Sequence, residues 1–389
     1  MSLNATAKSK ALFAILICVP FFGVAIDLYT PSFPYMEAYF NTSSQMIKFS
    51  VSSFMIGSFI GMIIFGTLAD RFGRRRLMLF NLLIFIILSF VTMLTKSITL
   101  VLLWRFFMGI TVGATASLNR AQTADIFTKR EIAKISSTMT IVWGLGPIVA
   151  PFIGGYLQHY IGWQANFGFL GLYCLIIFIV MYLYVPELHK NPHPLILSQI
   201  ARNYAKILSN RQFVAAVLQC GILYGIMIFF AVLGPFYIQK KLGYSAIFYG
   251  YLALGVGLFY LAGTLTRRLL FAKGEGFILS LAFGTLFFIN FLSLGLSFFF
   301  TKALILLLAD VYLSVFCCGL LYSIFLGRSL MIFPEMAGTA GALSGAGVMI
   351  TIALISAIGS IISIDSLTQF IALFVITTVV SGLIQYISK

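Results

Sequence analysis

The chain has 389 residues, of which 61% are hydrophobic and only 9% charged, and its mean hydropathy is +1.05. A water-soluble protein of this length could not hide so much apolar surface, because its outside must still face water; lipid is the expected solvent. The formal net charge of +15 would suit nucleic acid, but the basic residues fall in short clusters between apolar runs, as in the loops at one membrane face, so no nucleic-acid partner is expected.

The long uninterrupted apolar runs predict membrane helices, which satisfy their own backbone groups in hydrocarbon. The strands of a membrane barrel would be short and alternating in polarity. Twelve spans are predicted, at 11–30, 46–69, 76–95, 98–119, 135–158, 164–186, 213–239, 246–270, 276–299, 303–327, 338–362 and 366–387. The first run is too long for a secretory leader and lacks a small-residue cleavage site, so it is read as a retained helix. Within it, "AIDLYTPSFPYM" sets Asp27 after sixteen uncharged residues, Ala11 to Ile26, and Pro31 and Pro34 are expected to break or bend the helix just beyond.

Span two runs into "GTLADRFGRRRLML". Gly66 is expected to permit close helix approach, and Asp70 to end the span and pair with an arginine or a helix N-terminus. Gly73 would allow the reversal, with Arg71, Arg74, Arg75 and Arg76 at the headgroups. Span four carries Arg105 and Met108. Span five carries "GLGPIVAPFIGG", in which Gly146, Ala150, Gly154 and Gly155 suit close packing and Pro147 and Pro151 loosen the backbone. The longest polar stretch divides the chain into a bundle at 1–186, a linker at 187–212 and a bundle at 213–389. In the linker, Leu195, Ile196, Ile200, Tyr204, Ile207 and Leu208 recur at helical spacing opposite Ser198, Gln199, Arg202, Asn203 and Lys206, predicting a helix on the membrane surface that could equally be a plain tether. "GTLTRRLLFAKGEG", from Gly263, faintly repeats the stretch from Gly66, with Arg267 in place of Asp70.

With the N-terminus inside, the inner segments hold 19 lysines and arginines and the outer loops 5, which orients the chain with both termini in the cytoplasm. Three ionisable residues are read as lying within spans: Asp27, Arg105 and Asp310. Counting about 1.5 Å per residue puts all three at similar depth in the outer half. Such residues usually face a cavity or one another, so they are candidates for proton coupling and cargo binding. The blander alternatives are an acid that pairs with a helix or caps water, a snorkelling arginine, and an acid that only stabilises the end of its helix. Met108 and Tyr224 are candidates to line an apolar cavity, or they simply pack. The five cysteines lie in apolar runs without metal-ligand spacing, and His159, His189 and His193 lie in or near loops, so neither a metal site nor a histidine relay is expected. No phosphate-binding glycine loop is present, so ATP is not the visible energy source.

The ordered set Gly66, Asp70, Arg71, Gly73, Arg74 and Arg75 resembles the signature loop of the major facilitator superfamily. "LLWRFFMGITVGA", with Arg105 and Gly109, resembles that family's fourth-helix motif. "GLGPIVAPFIGG" resembles its antiporter motif, with Ala150 where glycine is usual. "DLYTPSFP", "RAQTADIF" and "AGTAGALSG" together resemble the Bcr/CflA-type drug:proton antiporters, although Ala124 stands where that group often has arginine before Asp125. The resemblance implies an all-α integral membrane protein of two pseudo-symmetric six-helix bundles, with helices one, four, seven and ten around a central cavity. It implies proton-driven export of small amphipathic organic compounds by alternating access across the inner membrane. It further implies no enzymatic activity, no cofactor beyond the proton gradient, and cargo, protons and lipids as partners of a monomer. A dedicated exporter of one metabolite or siderophore, or less directly a proton-coupled importer, remains an alternative.

Overall fold

The long apolar runs form helices, and among the described residues twelve helical segments are long and apolar enough to cross a membrane. The computed structural model describes residues 4–187, 197–300 and 303–388, apart from the side chains of Asp70, Lys129, Ala133, Lys134, Ser136, Ser137, Thr140, Leu197, Gln199, Ile200 and Ala337. The linker stretch with His189, His193, Leu195 and Ile196 lies outside the described residues.

The first span, Ala5–Tyr39, is broken into α1 (Ala5–Cys18), α2 (Phe21–Asp27), a 3-10 turn (Thr30–Ser32) and α3 (Phe33–Tyr39). Proline accounts for the breaks. Pro20 caps α2, Pro31 sits in the 3-10 turn, and Pro34 falls in the first turn of α3, where a missing N–H removes no helical bond. The chain thus stays helical beyond Asp27 for longer than the predicted limit at residue 30. The first six-helix set continues with α4 (Ser44–Phe72), α5 (Arg74–Leu94), α6 (Ile98–Ile126), α7 (Lys129–Tyr160) and α8 (Trp163–Tyr184). A connecting helix, α9 (Leu197–Leu208), buries Ile207 and leaves Arg202 and Lys206 exposed. The second set comprises α10 (Arg211–Pro235), prolonged by a π-helical turn (Phe236–Lys241), then α11 (Ala246–Leu269), α12 (Glu275–Ser297), α13 (Leu304–Met331), α14 (Ala337–Ile361) and α15 (Leu367–Ile387). The end of the molecule with both chain termini is called here the terminal face, and the opposite end the far face.

Small residues fix the helix crossings. Gly57 and Gly61 of α4 lie against the carbonyls of Phe106 and Ile110, while Gly109 and Gly113 of α6 lie against those of Phe54 and Ser58. The second set repeats this reciprocal crossing between α11 and α13, where Gly263 meets the carbonyl of Phe316 and Gly319 that of Tyr260. A side chain at any of these positions would run into backbone, which cannot yield as a side chain can.

Two expectations are corrected here. A Cβ at Gly66 would meet nothing within 4 Å, so Gly66 is not a site of close helix approach; Gly57 and Gly61, nearer the middle of α4, are. The internal repeat also has another register. Gly73 (φ 88°, ψ 137°) and Gly274 (φ 84°, ψ 155°) form matching turns after α4 and after the 3-10 turn that follows α11. Matching these turns sets Gly263 level with Met62, next to the crossing glycine Gly61 and about one helical turn from Gly66.

The two sets meet along two seams, α4 against α14 and α7 against α11. At the second seam, a Cβ on Gly155 would come 2.6 Å from the carbonyl oxygen of Ala246, and one on Gly250 would come 2.9 Å from that of Pro151.

Candidate functional site

A cavity at the α7–α11 seam has a carboxylate in its wall. Asp27, the last residue of α2, reaches its wall, together with Pro147 and Pro151 of α7, Tyr224 and Phe230 of α10 and Tyr249 of α11. Its volume of about 30 Å³, counted as positions open to a water-sized sphere, is room for about two waters and not for an organic cargo. Asp27 is 7% exposed. Its backbone carbonyl accepts from the Thr30 hydroxyl at 2.9 Å, which closes the chain break on its far side.

Arg105, on α6, is fully buried. No ion pair joins it to Asp27 among the described residues. Its Nη1 instead donates to the carbonyl of Ala25, in the last turn of α2, at 2.9 Å. Its guanidinium lies 4.3 Å from the ring centroid of Tyr29 and 4.2 Å from that of Phe54. This combination of stacking and hydrogen bonding suits a planar, weakly hydrated cation better than an ammonium. The Tyr29 hydroxyl pairs in turn with Ser50 of α4 at 2.7 Å. Arg105 therefore ties the broken first span to α4 and α6 and sets a positive charge against helix carbonyls two residues from Asp27. No snorkelling path is open to a side chain enclosed in this way.

Asp310 is buried elsewhere. It lies on α13 at the seam with α12, where Ser293 is its polar neighbour and Asn290 donates to Ser314 at 2.8 Å. Neither carboxylate oxygen has a hydrogen-bond partner among the described residues. The three residues read at similar depth thus do not converge on one place. Counting residues gave a depth but not which way each side chain points around its helix, and Asp310 points into its own bundle. Met108 is buried against α5, its sulfur 3.9 Å from the Thr92 hydroxyl, and is not in the cavity wall. Tyr224 is in the wall, its ring 6.2 Å from Trp143 of α7 and 6.4 Å from Tyr322 of α13.

The loop after α4 is held by carboxylates. Arg74 pairs with Asp125 and donates to the carbonyl of Ala121 at 2.7 Å, joining the first quoted motif to "RAQTADIF". Glu187 accepts from the backbone N–H of Arg75 at 3.1 Å and of Arg76 at 3.4 Å. It thus caps the positive N-terminal end of α5. Arg75 also donates to the Tyr182 carbonyl at 2.7 Å, and Arg71 lies over Phe72. The side chain of Asp70 lies outside the described residues. Helix α7 packs through its motif. A Cβ on Gly146 would come 2.6 Å from the carbonyl of Pro20, and one on Gly154 would overlap the carbonyl of Leu28, while Ala150 is buried.

At the far face, polar contacts bridge the two six-helix sets. Gln239 donates to the Pro31 carbonyl at 2.9 Å, Lys240 pairs with Glu37 at 2.7 Å, and Ser52 donates to Ser356 at 2.9 Å. Lys48 joins them, an ammonium only 3% exposed inside a membrane helix. The sequence reading passed over it because a lysine just inside the start of an apolar run looks like a loop charge.

Two six-helix sets enclosing a small cavity with one acid at their interface form the architecture of a secondary transporter. Residues 15–360 match the Major Facilitator Superfamily, and the chain belongs to that family. It is 29% identical over 338 residues to a bicyclomycin resistance protein homolog of Haemophilus influenzae, covering 85% of this chain and 83% of that one. It is 24% identical to the chloramphenicol resistance protein CraA of Acinetobacter baumannii over 67% of this chain and 64% of the other. These relatives agree with the resemblance to Bcr/CflA-type drug antiporters. Among solved structures, a D-xylose–proton symporter superposes with a TM-score of 0.75 at 19% identity, covering 96% of each chain, which shows the shared fold.

Proposed function

We propose that this protein exports small amphipathic organic compounds in exchange for protons, with the terminal face in the cytoplasm and Asp27 as the proton carrier. The observation that carries the reading is the placement of Asp27. It is the acid in the wall of the cavity between the two sets, beside two prolines of α7 and opposite Tyr224 and Tyr249 of the other set. An acid at such an interface changes its surroundings whenever the two sets rock against each other, which is what a proton-coupled cycle requires. The relatives named for bicyclomycin and chloramphenicol resistance support export as the direction and organic compounds as the cargo.

Arg105 supports the cycle without pairing with the acid. Fixed on the carbonyl of Ala25, it keeps the broken helix in one shape beside Asp27. The gradient is sufficient: one charge crossing about 150 mV is worth about 3.5 kcal/mol, or a few hundredfold in cargo concentration. In inverted membrane vesicles with an acidified lumen, adding chloramphenicol should release lumenal protons. Transport that persists unchanged after both the pH gradient and the membrane potential are collapsed would refute the coupling. Cargo-driven proton release with one native metabolite and with no drug would establish the dedicated exporter instead.

A further inference from the structure

Lys48 stands in the second turn of α4, in a helix that otherwise carries apolar and small polar residues across the membrane. An ammonium buried to 3% exposure needs partners, because a charge stripped of water in a bilayer is costly. Its hydrogen-bond partners are not carboxylates, although the charge of Glu37, itself paired with Lys240, acts on it through space. Nζ donates to the carbonyl of Ile362 at 2.6 Å and to that of Gly359 at 3.2 Å. Both carbonyls belong to the end of α14, which stops at Ile361. The last four carbonyls of a helix have no partner within it and carry the negative end of its dipole. A lysine of the first set therefore caps a helix of the second. About one turn further along the same seam, Ser52 donates to Ser356 at 2.9 Å, so the two bonding points lie in line along α4 and α14.

We propose that Lys48 is the latch of the far face: a positioning residue whose bonds to the α14 C-terminus exist only while the two sets are closed there, and which thereby sets the balance between the far-closed and far-open forms. The inference rests on the alternating-access reading given above. The asymmetry is physical. When closed, the ammonium exchanges water for two carbonyls that would otherwise lack helical partners. When open, water must reach both the ammonium and the helix end. The device needs a flexible cation at this position and makes no use of Asp27 or the cavity.

The test places spin labels at Gln45→Cys and Ser363→Cys, both exposed at the far face on opposite sides of the seam. Their separation is read by double electron–electron resonance in lipid nanodiscs at pH 6 and pH 8, without cargo. The wild-type background should give a short and a long distance whose ratio changes with pH. Lys48→Met, which keeps the stem and removes the charge, should move the open-to-closed ratio by about tenfold towards the long distance, the loss of charge-assisted bonds. Lys48→Arg should restore the wild-type ratio. Should Lys48→Met not yield monodisperse protein, Lys48→Gln reports the same shift. Two wild-type distances with an unchanged ratio in the neutral variant overturn the latch and leave the transport reading standing. A single distance in wild type and variants alike at both pH values overturns alternating access together with the latch.

Discussion

Asp27→Asn separates the proton from everything else that this residue does. The substitution conserves shape, and the bond that Asp27 makes to hold the chain break is a backbone one, its carbonyl accepting from Thr30. No ion pair to the carboxylate is lost, since Arg105 spends its bond on Ala25. The stability change is therefore expected to stay within about 1 kcal/mol, the range of a substitution that breaks no network. The functional change is far larger. A neutral amide carries no exchangeable charge, so the few-hundredfold accumulation that about 3.5 kcal/mol of gradient supports should fall to none. In proteoliposomes, chloramphenicol should still exchange down its own gradient, while an imposed pH gradient should no longer drive uphill movement. If the variant folds normally and still accumulates cargo against a gradient when pH is stepped, Asp27 is not the carrier and the cavity assignment fails.

Other consequences can be checked together. Gly61→Val should destabilise the protein in detergent by about 3 kcal/mol, because its side chain would enter the Ile110 backbone, whereas Gly66→Ala should be neutral or stabilising by up to about 1 kcal/mol; thermal unfolding of the two variants side by side decides this. Glu187→Gln should loosen the start of α5 by about 1 kcal/mol and speed hydrogen exchange at the Arg75 and Arg76 amides, as expected for lost charge at a helix N-terminus. Glu131, outside the membrane span, is held down at about 2 by hydrogen bonds from Lys8 and from the Thr128 backbone and hydroxyl. Its folded value lies below the unfolded one, so its contribution is present above about pH 4.5 and is lost as pH falls towards 2. Glu131→Gln should flatten that part of a stability-against-pH curve, and an unchanged curve would remove the pair from the account. Arg105→Lys should impair folding more than a charge-conserving change normally does, since an ammonium cannot reproduce the two ring contacts together with the Ala25 bond.

The number and order of the spans were legible because lipid imposes long apolar runs, and no tertiary contact was needed to find them. Asp27 was legible for a related reason: a charge near two prolines within such a run announces a broken helix. What counting could not supply was direction around the helix axis. Asp310 and Arg105 were placed at comparable depth, yet Asp310 turns towards Ser293 and Arg105 towards Ala25. Gly66 stood out through its motif, whereas the glycines that bring α4 onto α6 show themselves only when backbone meets backbone. The repeat was aligned on four identical letters, but the turn glycines Gly73 and Gly274 carry the structural equivalence. Lys48 was the larger omission, because what makes it notable is a helix end more than three hundred residues away in sequence.

The packing of α7 bears on where cargo preference can reside. Gly146 and Gly154 seat the first span on α7 so closely that neither can slide past the other without a clash of main chains. Asp27, Pro147 and Pro151 are thereby held together on one wall of the cavity. In the proposed alternating-access cycle, the opposing wall, formed by Tyr224, Phe230 and Tyr249, is the one whose outline relative to the acid would change. On the proposed export reading, discrimination among compounds then falls to α10 and α11, and substitutions there should alter the range of cargo without touching Asp27.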